Sequence, residues 1–201
     1  MFSQTGRLRA FTMLLALLAM LAPSLALAHT EAGAIGGFVS GFLHPMTGPD
    51  HIAAMVAVGI WGAFLGPPAM WLLPVVFPLV MACGGALGVV GVPLPGVEVA
   101  IALSAVLLGA MVLLAARPPL WVAALLVGFF AVFHGHAHGT ELPEAANAMT
   151  YAFGFVFATG LLHLGGIAVG LLVRWPWGRI AVRACGGAIA AAGFAFLFGL
   201  V

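Results

Sequence analysis

The sequence predicts an all-α, polytopic transmembrane helix bundle, with six spans behind a cleaved signal peptide and the first span discontinuous. Three observations lead there. Hydrophobic residues make up 64% of the 201 positions and charged residues 5%, against about 25% charged in a soluble domain. Mean hydropathy is +1.24. The apolar residues also gather into runs close to the roughly 20 residues that cross a bilayer core. One integral membrane domain, residues 29–201, accounts for the mature length, with membrane lipid as its solvent. A net charge of +1 with no basic patch leaves nothing to neutralise phosphates, which excludes a nucleic-acid partner.

Residues 1–28 read as a signal peptide. Arg7 and Arg9 supply a positive start, residues 11–21 a short apolar run, and Ala26-Leu27-Ala28 a small-x-small cleavage site. Cleavage after Ala28 leaves His29 as the mature N-terminus, on the periplasmic side of a bacterial inner membrane. The alternative, an uncleaved first span, fits the shortness of the run less well. Residues 34–65 form an apolar stretch too long for one straight span, interrupted by His44-Pro45 and Gly48-Pro49. Proline removes a helix donor and restricts the residue before it. The stretch therefore reads as a half-helix, a break, and a fuller helix beginning near Asp50. Further spans are predicted over residues 70–90, 94–115, 120–138, 148–173 and 180–200.

Orientation has an independent check. With His29 outside, Arg117, Arg174, Arg179 and Arg183 all fall at the cytoplasmic ends, while Glu98, Glu141 and Glu144 fall at the opposite connectors. That is the positive-inside pattern. Cys83 and Cys185 sit in glycine-rich apolar runs and read as small packing residues rather than a disulfide or metal site. The matching strings Cys83-Gly84-Gly85-Ala86 and Cys185-Gly186-Gly187-Ala188 hint weakly at duplication.

The chemistry lies in seven histidines, because ionisable side chains inside a bilayer are costly and mark function. One cluster reads His44-Pro45-Met46-Thr47-Gly48-Pro49-Asp50-His51, the other His134-Gly135-His136-Ala137-His138-Gly139-Thr140-Glu141. On a helix, His134, His138 and Glu141 share one face, and His136 points elsewhere. Unwinding at Gly135, Gly139 and Pro143 would instead let all three histidines converge. Imidazole with carboxylate suits nickel, cobalt or zinc rather than magnesium or calcium. The other reading of the cluster is a wet helix end or a polar packing network. Asp50 is either an N-cap or a carboxylate that orients His51. His51 lies fifteen residues from Gly66 and His134 fourteen from Leu120, a rise of about 21–23 Å in both helices. Matching depth predicts one shared site, and histidine helices starting from opposite sides fit a three-plus-three inverted repeat.

His163 stands alone, displaced toward the cytoplasm. It is either hydrogen-bonded by a neighbouring helix or a relay ligand on an exit route. His29, with a free amine after cleavage and Glu31 nearby, is either an outer metal-capture group or merely the residue after the cut.

At the two clusters the sequence resembles the HupE/UreJ family of nickel and cobalt permeases. The matching residues are His44, Pro45, Gly48, Asp50 and His51, then Phe133-His134-Gly135-x-Ala137-His138-Gly139-x-Glu141. The resemblance extends over nearly the whole chain. It implies metal uptake serving hydrogenase, urease or cobalamin, with His44, Asp50, His51, His134, His138 and Glu141 as the functional set. Ni2+ or Co2+ would be cargo rather than a permanently bound cofactor. Secondary transport is expected, since no lysine exists to complete a phosphate-cradling loop. An enzyme is not expected: the helical His-Glu-x-x-His pattern is absent. The alternatives are a metal- or haem-binding membrane protein, or a membrane metalloenzyme, without transport activity; dense histidines beside carboxylates suit haem poorly.

Overall fold

The computed structural model describes residues 34–142 and 147–200, and among them the regular structure is entirely helical. The signal peptide, His29, Glu31, Pro143 and Glu144 lie outside the described residues. Seven α-helices follow in order: α1 (Ala34–Thr47), α2 (Pro49–Leu65), α3 (Ala69–Val89), α4 (Val97–Leu113), α5 (Leu120–Thr140), α6 (Ala148–Gly170) and α7 (Pro176–Leu197). A short 3-10 turn, Leu171–Arg174, extends α6. Among the described residues, four helices are long and apolar enough to cross a membrane, and a fifth span results if the bent pair α1–α2 counts as one. The chain is thus a multi-pass helical membrane protein. The 17-residue α4 is apolar but shorter.

The expected discontinuity is present, and its cause is local. Gly48 is extended (φ −92°, ψ 105°) ahead of Pro49 at the first position of α2, as the residue before proline prefers. The axes of α1 and α2 turn through 83° at this point. Ile52 donates its N–H to the Gly48 carbonyl, so α2 starts cleanly at the break.

Lipid gives no hydrophobic drive for helix association, so close packing must supply it. The closest contacts run between α3 and α5, α4 and α7, and α6 with both α1 and α2. Small residues make them possible. A Cβ on Gly84 would strike the Val132 carbonyl, one on Gly135 the Met81 carbonyl, and one on Gly59 the His163 carbonyl. Cys83 and Cys185 are exposed on their helices. The expectation that they pack is therefore corrected: the glycines after them, Gly84 and Gly186, make the contacts.

The four arginines among the described residues gather at one end of the bundle. Arg183 Nε donates to the Leu113 carbonyl (2.7 Å), Arg179 Nε to the Val173 carbonyl (3.2 Å), and Arg117 lies over the Phe64 ring (4.9 Å). Trp61 Nε1 ties α2 to the same end by donating to the Ala116 carbonyl at 3.1 Å. The carboxylates of Asp50, Glu98 and Glu141 start or end helices at the opposite end.

Candidate metal centre

Helix α5 does not unwind at its glycines. It stays α-helical to Thr140, with Glu141 as its C-cap, and that periodicity sorts its three histidines. His134 and His138 face α2 and α1, while His136 turns away and its Nε2 sits 2.7 Å from the Val92 carbonyl, to which it donates. The alternative in which His136 converges with its neighbours is excluded by this geometry. Gly135 and Gly139 instead let α3 approach to the Met81 and Gly85 carbonyls.

The break between α1 and α2 delivers the other half. His44 ends α1 with its Nε2 2.9 Å from Glu141 Oε2, and that carboxylate oxygen lies 3.8 Å from His138 Nδ1. His44, His138 and Glu141 can each offer a ligand atom, all within 4.8 Å of one another. Asp50 is not the N-cap of α2; that position is Gly48. Its Oδ1 accepts from the His51 backbone N–H at 2.9 Å and from His51 Nδ1 at 2.8 Å. The carboxylate therefore orients the ring, the second of the two readings its position allowed.

All six residues of the expected set come together. The His51 ring lies 5.1 Å from that of His134 and 4.4 Å from that of His138, and His44 lies 4.7 Å from His138. Phe155 packs 4.2 Å from the His138 ring and Tyr151 5.9 Å from that of His44, walling the cluster with aromatic surface. His134 is fully buried and His138 nearly so.

Tautomers follow from the hydrogen bonds. His134 Nδ1 donates to the Phe130 carbonyl one turn back, at 2.9 Å. His51 Nδ1 is committed to Asp50. In both rings Nε2 is then the lone-pair nitrogen, and in both it is buried without a hydrogen-bond partner, as are both nitrogens of His138. Each such atom costs about 1–3 kcal/mol when left unmatched. The His51, His134 and His138 rings lie side by side. In His51 and His134 one nitrogen is fixed by an outer partner while the other is free to meet a cation. The tightest set of ligand atoms is that of His44, His138 and Glu141. Asp50 and Glu141 carry two negative charges, the complement of one divalent ion.

Glu98 was read from the sequence only as a marker of orientation. The structure sets it, with Asp50, in the wall of a cavity of about 260 Å3 among α2, α4 and α7, where Val99 and Phe196 also contribute. Phe77 was not singled out either. Its ring stands between His134 (5.3 Å) and His163 (5.4 Å). The flanking Pro74 and Pro78 inside α3 were the available signal. His163 does not join the cluster. Neither ring nitrogen has a partner in full hydrogen-bond geometry, and the Pro74 carbonyl of the neighbouring α3 lies beside the ring.

Comparison with known proteins agrees with the motifs. Residues 16–196 match the family model described as HupE / UreJ protein. The chain belongs to the HupE/UreJ family. A curated relative, Protein HupE of Rhizobium leguminosarum bv. viciae, is 48% identical over 183 residues, covering 91% of this chain and 95% of the relative. The HupE/UreJ family is generally linked to nickel or cobalt transport or to hydrogenase or urease accessory function. No solved structure matches the chain.

Proposed function

We propose that this HupE/UreJ protein is a secondary permease that carries Ni2+ or Co2+ into the cytoplasm, with the histidine cluster as its substrate site. The observation that carries the reading is the convergence of His44, His51, His134 and His138 with two carboxylates, His51 and His134 each holding Nε2 bare and buried. Imidazole nitrogens replace part of the hydration shell of a borderline metal ion, and Asp50 and Glu141 offset its charge. The ligands are neutral apart from those two groups, which keeps binding modest enough for release. Glu98 and the cavity beside Asp50 give the ion an acidic approach from the end opposite the arginines.

In this reading residues 1–28 are removed and six spans follow in the inner membrane, with the mature N-terminus periplasmic. Helix α4 is the third span. At about 26 Å it is a little short for a core of about 30 Å, but it packs along α7, where Gly109 meets Ala190 and Gly193 meets Val106. Counting it as a span sends all four arginines to the cytoplasmic side and Asp50, Glu98 and Glu141 to the outer side.

The test is uptake of radioactive nickel and cobalt by cells expressing the chain, each ion competing against the other. Saturable uptake that depends on His134 supports the reading. Metal binding by the purified protein with no uptake would replace it with an accessory, non-transporting role.

A further inference from the structure

We propose a second, inner metal station at His163 and Thr159, one phenyl ring beyond the histidine cluster. The proposal rests on the transport reading above and goes beyond its site.

His163 and Thr159 lie one turn apart on α6, on the same face, and both are fully buried. Neither His163 nitrogen nor Thr159 Oγ1 has a hydrogen-bond partner. Such groups are unusual in a bilayer, where a threonine hydroxyl ordinarily bonds back to its own helix. A third donor comes from α3. In that helix Pro78 lacks the N–H that would bond the Pro74 carbonyl. This freed oxygen lies alongside the His163 ring without reaching hydrogen-bond geometry. An imidazole and a hydroxyl thus share one face of α6 without hydrogen-bond partners, and the freed carbonyl of α3 lies beside the ring. All are lone-pair donors.

Position relates this point to the cluster. Phe77 is fully buried and meets His134 on one side and His163 on the other, at 65° and 89° between ring planes. His163 is fifteen residues along α6 from Ala148, about 22 Å by helical rise, and so lies toward the arginine end. Pro74 is five residues from the start of α3 at that same end. An ion leaving His134 inward meets the Phe77 ring first and the His163 station next. The station carries no carboxylate, so it holds a divalent ion more weakly than the cluster does, as a transit site must.

The experiment uses the full chain with Cys83 and Cys185 replaced by alanine, purified in detergent and titrated with Co2+. His163→Cys, and separately Thr159→Cys, would place a thiol at the station. The expected result is a sulfur-to-cobalt charge-transfer absorption in either variant and none in the parent. In cells, His163→Leu and Thr159→Val should lower the maximal uptake rate by about 10–100-fold, the scale on which metal-site partners act. The half-saturating concentration should stay unchanged, because the outer cluster is intact. A merely structural role would lower the amount of protein without creating a charge-transfer band. The absence of that band in both cysteine variants, with cobalt still seen at the cluster by its ligand-field spectrum, overturns the inner station and leaves the transport reading standing. A parent protein that binds no cobalt overturns both. Normal maximal uptake in both His163→Leu and Thr159→Val also overturns the station.

Discussion

Replacing Asp50 by asparagine isolates the charge of the carboxylate from its shape. The new amide oxygen can still accept from the His51 backbone N–H, 2.9 Å from Oδ1 in the parent, and from His51 Nδ1, 2.8 Å away. Helix α2 keeps Gly48 as its N-cap and Pro49 at its first position, so its start changes little. Loss of favourable charge near a helix N-terminus costs about 0.3–1 kcal/mol, too little to unfold the bundle. The metal site loses more. Asp50 is the outer partner that fixes the His51 tautomer and raises the basicity of Nε2, and removing such a partner costs about 10–100-fold in metal affinity. That is roughly 1.4–2.8 kcal/mol, and loss of one of the two charges balancing a divalent ion pushes toward the upper end. The assay is nickel uptake across a concentration series, paired with metal binding by the purified protein. Both half-saturating values should rise together by one to two orders of magnitude, with expression unchanged. A half-saturating concentration within twofold of the parent would refute the assignment and leave Asp50 as a helix-start residue.

Other substitutions probe the remaining parts. His51→Ala and His134→Ala should each abolish uptake while the protein still inserts in the membrane, measured by transport and by immunoblot of membrane fractions. His136→Gln should transport normally, because the Gln amide can still donate toward the Val92 carbonyl that His136 now bonds. Gly84→Ala should lower the melting temperature in detergent, since its Cβ would overlap the Val132 backbone and overpacking costs about 1–3 kcal/mol. Gly160→Ala, with nothing within 4 Å of the new methyl, should be neutral or stabilising by about 0.5–1 kcal/mol. If His29 captures metal through its free amine, inserting one alanine before it should raise the half-saturating metal concentration while sparing the maximal rate.

The sequence spoke most clearly where a residue was expensive for its surroundings. Histidines and carboxylates in an apolar chain had few possible reasons to be there, and their spacing separated His134 and His138 from His136 once α5 proved continuous. The break at Gly48 was legible for the same kind of reason, because proline acts on its own neighbours. What could not be read was whatever depends on a second helix. Matching depth brought the two clusters to one site, but not the direct contact of the Glu141 carboxylate with His44, 97 positions away, nor the cavity that Glu98 shares with Asp50. Phe77 looked like one more apolar residue among many. Only the contact between α3, α5 and α6 sets it between two histidines.

The contacts also bear on the suspected duplication. Divide the chain after α4, pairing α2 with α5, α3 with α6 and α4 with α7. Exchanging partners turns the α3–α5 contact into α6–α2, and leaves α4–α7 as itself. These are among the most extensive interfaces in the bundle. The exchange also maps the helix carrying His51 onto the helix carrying His134, whose rings meet at 5.1 Å. A three-plus-three repeat would produce such pairs, but the match is partial: the contacts of α2 with α3 and α4 have no comparable counterpart in α5 with α6 and α7. The matching Cys-Gly-Gly strings do not obey it, since they fall on α3 and α7, which are not equivalent under the exchange. Their likeness reflects the shared need for a small residue at a close helix crossing, at Val132 for Gly84 and at Leu113 for Gly186. The two groups of helices also supply their site residues differently. Helix α1 and the bend at Gly48 add His44 to one half, while the other half adds His138 and Glu141 by continuing α5 without a break. The two groups of helices thus reach neighbouring positions by different local means.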